Sequence, residues 1–463
     1  MAKAKDRTEL FERTPILRAL TILAVPTVFS QLVMVIYNLA DTFWVGRLND
    51  PLQNAAVTLV APAMMAMNMV SNLFGTGSSS LMSRSLGARD YEKVSRVSAF
   101  GFTCAVGMAL LFSLLCILVK NPLLRLLGAG EATRAASGAY LRWTVICGAL
   151  PAVVNTTMAH LVRSEGATLH ASIGTMSGCF LNMVLDPLFI LPGGLNMGVE
   201  GAGLATFLSN CAACVYFAVL LLKKRGKTWV DVNPLHFDPR RDIVSGVFQV
   251  GAPSAVTNLL SVTGMTVLNN FTAGYGAEAV AAMGICNKIY MVPLNVTYGI
   301  AQGAMPLIGY NYAAGDVKRV RRAIQTARAA NLSFITLMGL LFFFFSRFWV
   351  GLFIADETII GHGRILLRVF SLALPLLSLD FFTVAVFQAV GMGREAFVFA
   401  VLRKLALEIP GLFVFNRLWP LYGLPFAQVF AEAVLTAASF LVLSRFYKKM
   451  YARDRESPRP GSP

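Results

Sequence analysis

The sequence predicts an all-α integral membrane protein: twelve transmembrane helices in two parallel six-helix repeats. Three observations carry this. The chain is 56% apolar and only 14% charged, with mean hydropathy +0.63, whereas soluble globular domains carry about 25% charged residues. Ala19–Ala40, Val97–Val119 and Gly201–Leu222 run without a single charge, and each exceeds the roughly 20 residues that cross a bilayer. Third, one set of landmarks occurs twice in the same order. Asp90-Tyr91-Glu92-Lys93-Val94-Ser95-Arg96 returns as Asp316-Val317-Lys318-Arg319-Val320-Arg321-Arg322. Around it Pro26, Gly77, Pro151, Gly166 and Gly201 pair with Pro253, Gly303, Pro375, Gly391 and Gly423.

The apolar runs place spans near residues 16–42, 54–79, 97–119, 138–162, 168–191 and 199–222, and then 244–270, 279–304, 324–345, 362–389, 395–416 and 421–444. Backbone polar groups in lipid must be satisfied within the segment, so helices are expected. Strand alternation is absent, which excludes a β-barrel. The first span is too long for the roughly 7–15-residue apolar core of a cleaved signal peptide. The expected organisation is a first lobe at 1–222, a basic linker at 223–242, a second lobe at 243–445 and a tail at 446–463. The tail is charged and then Pro/Ser/Gly-rich, a composition that stays disordered.

Net charge is +16. Nucleic acid is not needed to explain it, because Lys and Arg collect on the cytoplasmic loops of membrane proteins. Here they collect at the start of the chain, in the loops after even-numbered spans and in the tail. Both termini are therefore expected in the cytoplasm. An even number of spans per half makes the repeats parallel, an architecture typical of secondary transporters, with sites within or between the halves. All seven cysteines fall in apolar spans; Cys211 and Cys214 have no second pair or histidine nearby, so packing explains them better than metal or redox chemistry. Gly75-Thr76-Gly77-Ser78-Ser79-Ser80 lacks the Gly-Lys-Ser/Thr ending of a phosphate loop, so ATP is not the expected energy source.

A charge at mid-bilayer costs about 2.5–3.5 kcal/mol on insertion scales, so intramembrane acids call for a function. In the first half these are Asp41 and Asp186. Span 1 starts inside, which puts Asp41 near its outer end. Asp186 is roughly 27 Å along span 5 and Thr206 roughly 11 Å down span 6, at 1.5 Å per residue. Asn182, four residues before Asp186, shares its helix face. Asp41, Asn182, Asp186 and Thr206 can therefore meet, and Tyr140 at the outer start of span 4 can join them. All four core residues offer oxygen, which suits a hard cation such as Na⁺. Two carboxylates in a poorly hydrated space also repel, so one can hold a proton near neutral pH. The alternative is that Asp41 marks a membrane boundary and Asp186 a helix end before Pro187.

The second half carries Lys288, Asp380, Arg403, Lys404, Glu408 and Glu432 within its spans. Lys404 and Glu408 are spaced for an ion pair on one helix face, and Lys288 can pair with Asp380 or Glu432. Structural pairing is the leading reading; a second coupling or substrate-cation site is the other. Met64, Met65, Met67 and Met69 in span 2 suit an adaptable binding surface, or ordinary packing. Pro26, lacking an N–H in mid-span, is a candidate hinge.

The pattern Pro26…Gln31…Tyr37-Asn38…Asp41…Val45-Gly46, then Arg163-Ser164-Glu165-Gly166, Asn182-Met183-Val184-Leu185-Asp186-Pro187 and Gly201-Ala202-Gly203-Leu204-Ala205-Thr206 resembles the multidrug and toxin extrusion family, prokaryotic multidrug branch. The resemblance runs from about Pro15 to Arg445 and is looser in the second half, where Gln388-Ala389-Val390-Gly391 is the best landmark. It implies a two-lobed antiporter of the bacterial inner membrane that confers antibiotic resistance by exporting cationic amphipathic drugs or dyes in exchange for H⁺ or Na⁺. It implies a coupling-ion site at Asp41, Asn182, Asp186 and Thr206, with Tyr37 and Tyr140 beside it. Gln31, Met34, Met65, Met69 and Asn155 are candidate substrate contacts. A second-half acidic site used by another branch is incomplete here, because span 7 has no acid.

No cofactor is expected, and a monomer is. The competing function is a lipid-linked precursor flippase of related fold. A flippase needs basic cavity residues for pyrophosphate, and the intramembrane positives here sit beside acids. An enzyme is disfavoured, since His160, His170, His236 and His362 are the only histidines and form no metal-spaced pair.

Overall fold

A computed structural model describes residues 8–456; the end of the tail expected to be disordered lies outside the described residues. Five helices of the first repeat are Ile16–Gly46 (α1), Pro51–Gly87 (α2), Tyr91–Leu118 (α3), Thr168–Ile190 (α5) and Gly198–Lys223 (α6). Between α3 and α5 lies α4, which runs through Glu131–Leu141, a π-helical turn at Arg142–Ile146 and Ala149–Ser164. The second repeat holds Arg241–Ala273 (α7), Ala277–Ala313 (α8), Val317–Phe344 (α9), Glu357–Val390 (α10) and Leu424–Glu456 (α12). Its α11 runs through Gly393–Val401, a π-helical turn at Leu402–Glu408 and Ile409–Leu418. Ten of these helices are long and apolar enough to cross a membrane, and α4 makes an eleventh as a pair bent by 42°. The remaining span, α11, is broken by its π turn, which carries Arg403, Lys404 and Glu408. The chain is a multi-pass membrane protein. Even the short helices repeat: Lys120–Leu126 follows α3 and Ser346–Gly351 follows α9.

The duplicated landmarks have matching physical duties. Asp90 and Asp316 are helix N-caps: their carboxylates accept from the amides of Lys93 at 3.1 Å and Arg319 at 2.8 Å, satisfying donors that the first turn leaves orphaned. Gly166 and Gly391 both have φ +84° just past the ends of α4 and α10, a left-handed stop that glycine takes without strain. The Gly75–Ser80 stretch is not a loop but a buried turn of α2.

The chain forms two compact units: residues 1–13 with 29–255, and residues 14–28 with 256–463. Two helices are therefore divided. The start of α1 belongs to the second unit, and the start of α7 belongs to the first. Pro26 and Pro253 lie inside continuous helices, within three residues of the two changeovers. Glycines make room for each borrowed segment. A Cβ on Gly303 would lie 2.5 Å from Ala24 Cα, and one on Gly77 would collide with the Val247 carbonyl. In the second unit, Tyr290, Phe342, Phe370, Leu374, Leu412 and Ala427 belong to one apolar core to which α8, α9, α10, α11 and α12 contribute.

The linker is a strap on the first unit rather than a free tether. Buried Glu165 accepts from Thr228 Oγ1 at 2.8 Å and from the Trp229 amide at 3.0 Å. Trp229 stacks on Tyr91, centroids 5.5 Å apart and 8° from parallel. Phe237 stacks on Phe100, the Asp231 amide donates to Ser98 Oγ, and Arg96 and Lys93 pair with Asp238 at 2.9 Å and Asp242 at 2.7 Å.

Candidate functional site

The first unit gathers Asp41, Tyr37, Tyr140, Asn182, Asp186 and Thr206 from four helices. Tyr37 and Asp41 are one turn apart on the later part of α1. Asn182 and Asp186 are one turn apart on α5, just before Pro187, whose missing N–H leaves a backbone carbonyl free to bend the helix there. Thr206 lies on α6, which approaches α5 closely because Gly178 has no side chain; a Cβ there would be 3.0 Å from the Ser209 carbonyl oxygen.

Asp186 and Asn182 are 0% and 1% exposed, Tyr140 3% and Thr206 9%, while Tyr37 and Asp41 are half-buried. In the amide orientation that satisfies both sides, Asn182 Nδ2 donates to Asp186 Oδ2 at 2.8 Å and its Oδ1 accepts from the Thr206 amide at 3.1 Å. The Tyr37 hydroxyl lies beside the Thr206 side chain and within electrostatic reach of both carboxylates. Tyr140 is within reach of Asp41, Tyr37 and Asp186, and the two aspartates are within reach of each other. Asp41 Oδ1 is buried with no hydrogen-bond partner. The cluster thus sets an unsatisfied carboxylate oxygen within electrostatic reach of a second carboxylate, among amide, hydroxyl and phenol groups.

A polar chain leads away from this cluster. Asn210 Nδ2 donates to the Thr206 carbonyl at 2.9 Å, and Asn155 Nδ2 donates to Asn210 Oδ1 at 3.0 Å. Asn155 is thus tied to the Asp41–Asp186 cluster, a link that runs through Asn210, which sequence reasoning passed over. The other candidate substrate contacts are dispersed in exposure: Gln31 is buried, Met34 and Met69 half-buried and Met65 exposed, while Met67 is core. His170 and His362 each share a hydrogen bond with a tyrosine hydroxyl, Tyr216 and Tyr422, and buried His160 packs against Gly75.

The second unit holds a separate charged cluster. Arg403 pairs closely with Asp380 and lies 3.6 Å from Glu432, and its guanidinium covers the Phe381 ring at 4.4 Å. Lys404 pairs with Glu408 at 2.6 Å. Lys288 does not join them, contrary to the sequence expectation. It is exposed and has no ion pair among the described residues, and the two acids expected for it face Arg403. The reason is helical phase: Tyr290 faces the cluster, and at 3.6 residues per turn a side chain two positions away points to the opposite side.

Known proteins match the duplicated fold. The MatE family model matches twice, over residues 26–188 and 253–414, so each match opens on one of the paired prolines. The multidrug export protein MepA of Staphylococcus aureus is 31% identical over 436 residues, 94% of each chain. An outward-facing multidrug resistance MATE transporter of the MOP superfamily superposes with TM-score 0.90 at 26% identity, covering 96% of this chain and 98% of that one. A MATE protein in a bent conformation does so with TM-score 0.89 at 26% identity, covering 97% and 99%. With both repeats matched and nearly the whole length aligned, the chain belongs to the MatE family and is a membrane transporter, not an enzyme.

Proposed function

We propose that the chain is a secondary multidrug exporter of a bacterial inner membrane that expels cationic amphipathic compounds while H⁺ or Na⁺ enters through the Asp41–Asp186 cluster. The observation that carries this reading is the carboxylate pair in the first unit: Asp186 is fully buried, and half-buried Asp41 has one buried oxygen without a hydrogen-bond partner. Its two acids stand on different helices, α1 and α5, so a cation shared by them draws those helices together. The name of the Staphylococcus aureus relative supports drugs as the cargo. In this reading α1 carries the signal: ion arrival at Asp41 changes the bend near Pro26, and the segment beyond it belongs to the other unit. The chain works as a monomer with both termini in the cytoplasm.

The test is dye efflux from proteoliposomes with pH and sodium gradients imposed separately. Wild-type protein should respond to at least one gradient. Asp41→Asn and Asp186→Asn should each abolish the response while expression and thermal stability persist. Undiminished efflux in both variants would overturn the proposal, and the gradient that drives transport identifies the ion.

A further inference from the structure

We propose that Glu432 in α12 holds a proton, making the charged cluster of the second unit a proton-binding site in its own right. This rests on geometry and charge count and does not depend on the first-unit site.

Three carboxylates, Asp380, Glu408 and Glu432, meet two cations, Arg403 and Lys404. All three acids are buried, with Asp380 and Glu432 at 0% exposure. If every group were ionised the cluster would carry one uncompensated negative charge. An unpaired charge in a low-dielectric interior is severely penalised, and the group takes up a proton instead.

The contacts decide which carboxylate is left over. Asp380 has the closest approach of the Arg403 guanidinium. Glu408 has Lys404 Nζ at 2.6 Å. Glu432 has only a 3.6 Å approach from Arg403 Nε; its two oxygens, like those of Asp380, are buried without a hydrogen bond, so the longer Arg403 approach is what sets it apart.

Among the described residues no further cation pairs with the cluster. From α8 the cluster is faced by Tyr290, whose hydroxyl accepts from Gln428 Nε2 at 2.9 Å. From α10 it is faced by Asp380, and from the π turn of α11 by Arg403, Lys404 and Glu408. From α7 comes Gly264, against which Lys404 and Glu408 lie. The α7 segment between Val256 and Ala273 has no ionisable side chain, and Glu432 is the only charged residue between Leu424 and Leu443. The π turn carries three of the cluster's side chains, and such turns recur at functional sites.

The experiment is infrared spectroscopy of purified full-length protein at neutral pH, reading the carboxylic-acid C=O stretch, which an ionised carboxylate lacks. It is done in an Asp41→Asn/Asp186→Asn background, so that the first-unit acids contribute nothing and failure of the coupling-site proposal leaves the result unaffected. A protonated-carboxyl band is expected, and Glu432→Gln should remove it. Glu408→Gln should also remove it although Glu432 remains, because the cluster then balances at two negative and two positive charges. Arg403→Met should enlarge the band, because a second carboxylate is then left unpaired. No band in the background protein would overturn the proposal, as would a band indifferent to Glu432→Gln. Should Glu432→Gln fail to fold, a band that persists unchanged in Glu408→Gln overturns it equally.

Discussion

Replacing Glu165 by alanine should release the linker strap. The Glu165 carboxylate is 2% exposed and accepts from Thr228 Oγ1 at 2.8 Å and the Trp229 amide at 3.0 Å. Hydrogen bonds to a charged group contribute about 1.5–3 kcal/mol each. Thr228 and Trp229 are half-buried, so water partly replaces the lost acceptor, and the sum falls at the lower end, about 3 kcal/mol. At tenfold per 1.4 kcal/mol, local opening at Trp229 should become about 100-fold more frequent. Hydrogen exchange read by mass spectrometry on peptides covering residues 224–232 measures this directly. Glu165→Gln, which keeps one acceptor oxygen, should fall between the two. Tyr91→Ala, which removes the stacked ring under Trp229, should loosen the same peptide by a smaller factor, since an aromatic pair adds about 0.5–1.5 kcal/mol beyond its buried area. Exchange in Glu165→Ala that stays near the wild-type rate would refute the strap.

Other consequences are equally concrete. Asn182→Leu should tighten binding of the proposed coupling ion about 10- to 100-fold, because Asp186 Oδ2 loses the amide donor that satisfies it at about 1–3 kcal/mol and gains more by meeting a cation; isothermal titration with H⁺ or Na⁺ reads the change, and unaltered affinity contradicts this reading. Gly77→Val should lower the melting temperature in detergent, since the new side chain meets the Val247 carbonyl and overpacking costs about 1–3 kcal/mol; an unchanged melting curve argues against the close contact of α2 with α7. Asp90→Ala and Asp316→Ala should each lose about 1 kcal/mol as helix caps and shift melting by similar amounts, so a large inequality between them would show that the two motifs do different work. Lys288→Ala should leave dye efflux at the wild-type rate, and a transport defect would give the residue a role that its exposure and lack of an ion partner deny.

Much of this architecture is legible in the chain itself, for reasons that differ by element. Spans announce themselves through length and lack of charge, because nothing else keeps a backbone satisfied in lipid. The Asp41–Asn182–Asp186–Thr206 cluster could be approached by depth and helix face, since rise per residue converts sequence position into height, and the family resemblance implies the same residues. The second-unit cluster resists that treatment. Lys404 with Glu408 is a one-turn spacing and is visible, whereas Arg403 with Asp380 and Glu432 joins three helices and depends on rotational phase. A π turn shifts that phase in α11, and nothing in its composition announces it. The linker is opaque for another reason: Glu165 looks like an ordinary helix-end acid until its partners, more than sixty residues onward, come into view. The division of α1 and α7 between the units follows from packing, and the prolines beside the changeovers only hint at it.

That division bears on ancestry. A solitary six-helix copy would lack the opening stretch of one helix and would present a glycine-lined slot where it should lie. Before duplication, two such polypeptides could complete each other only by exchanging arms. In a single chain such an exchange is built in, and the two copies hold different polar clusters, one at Asp41 and Asp186, the other at Arg403.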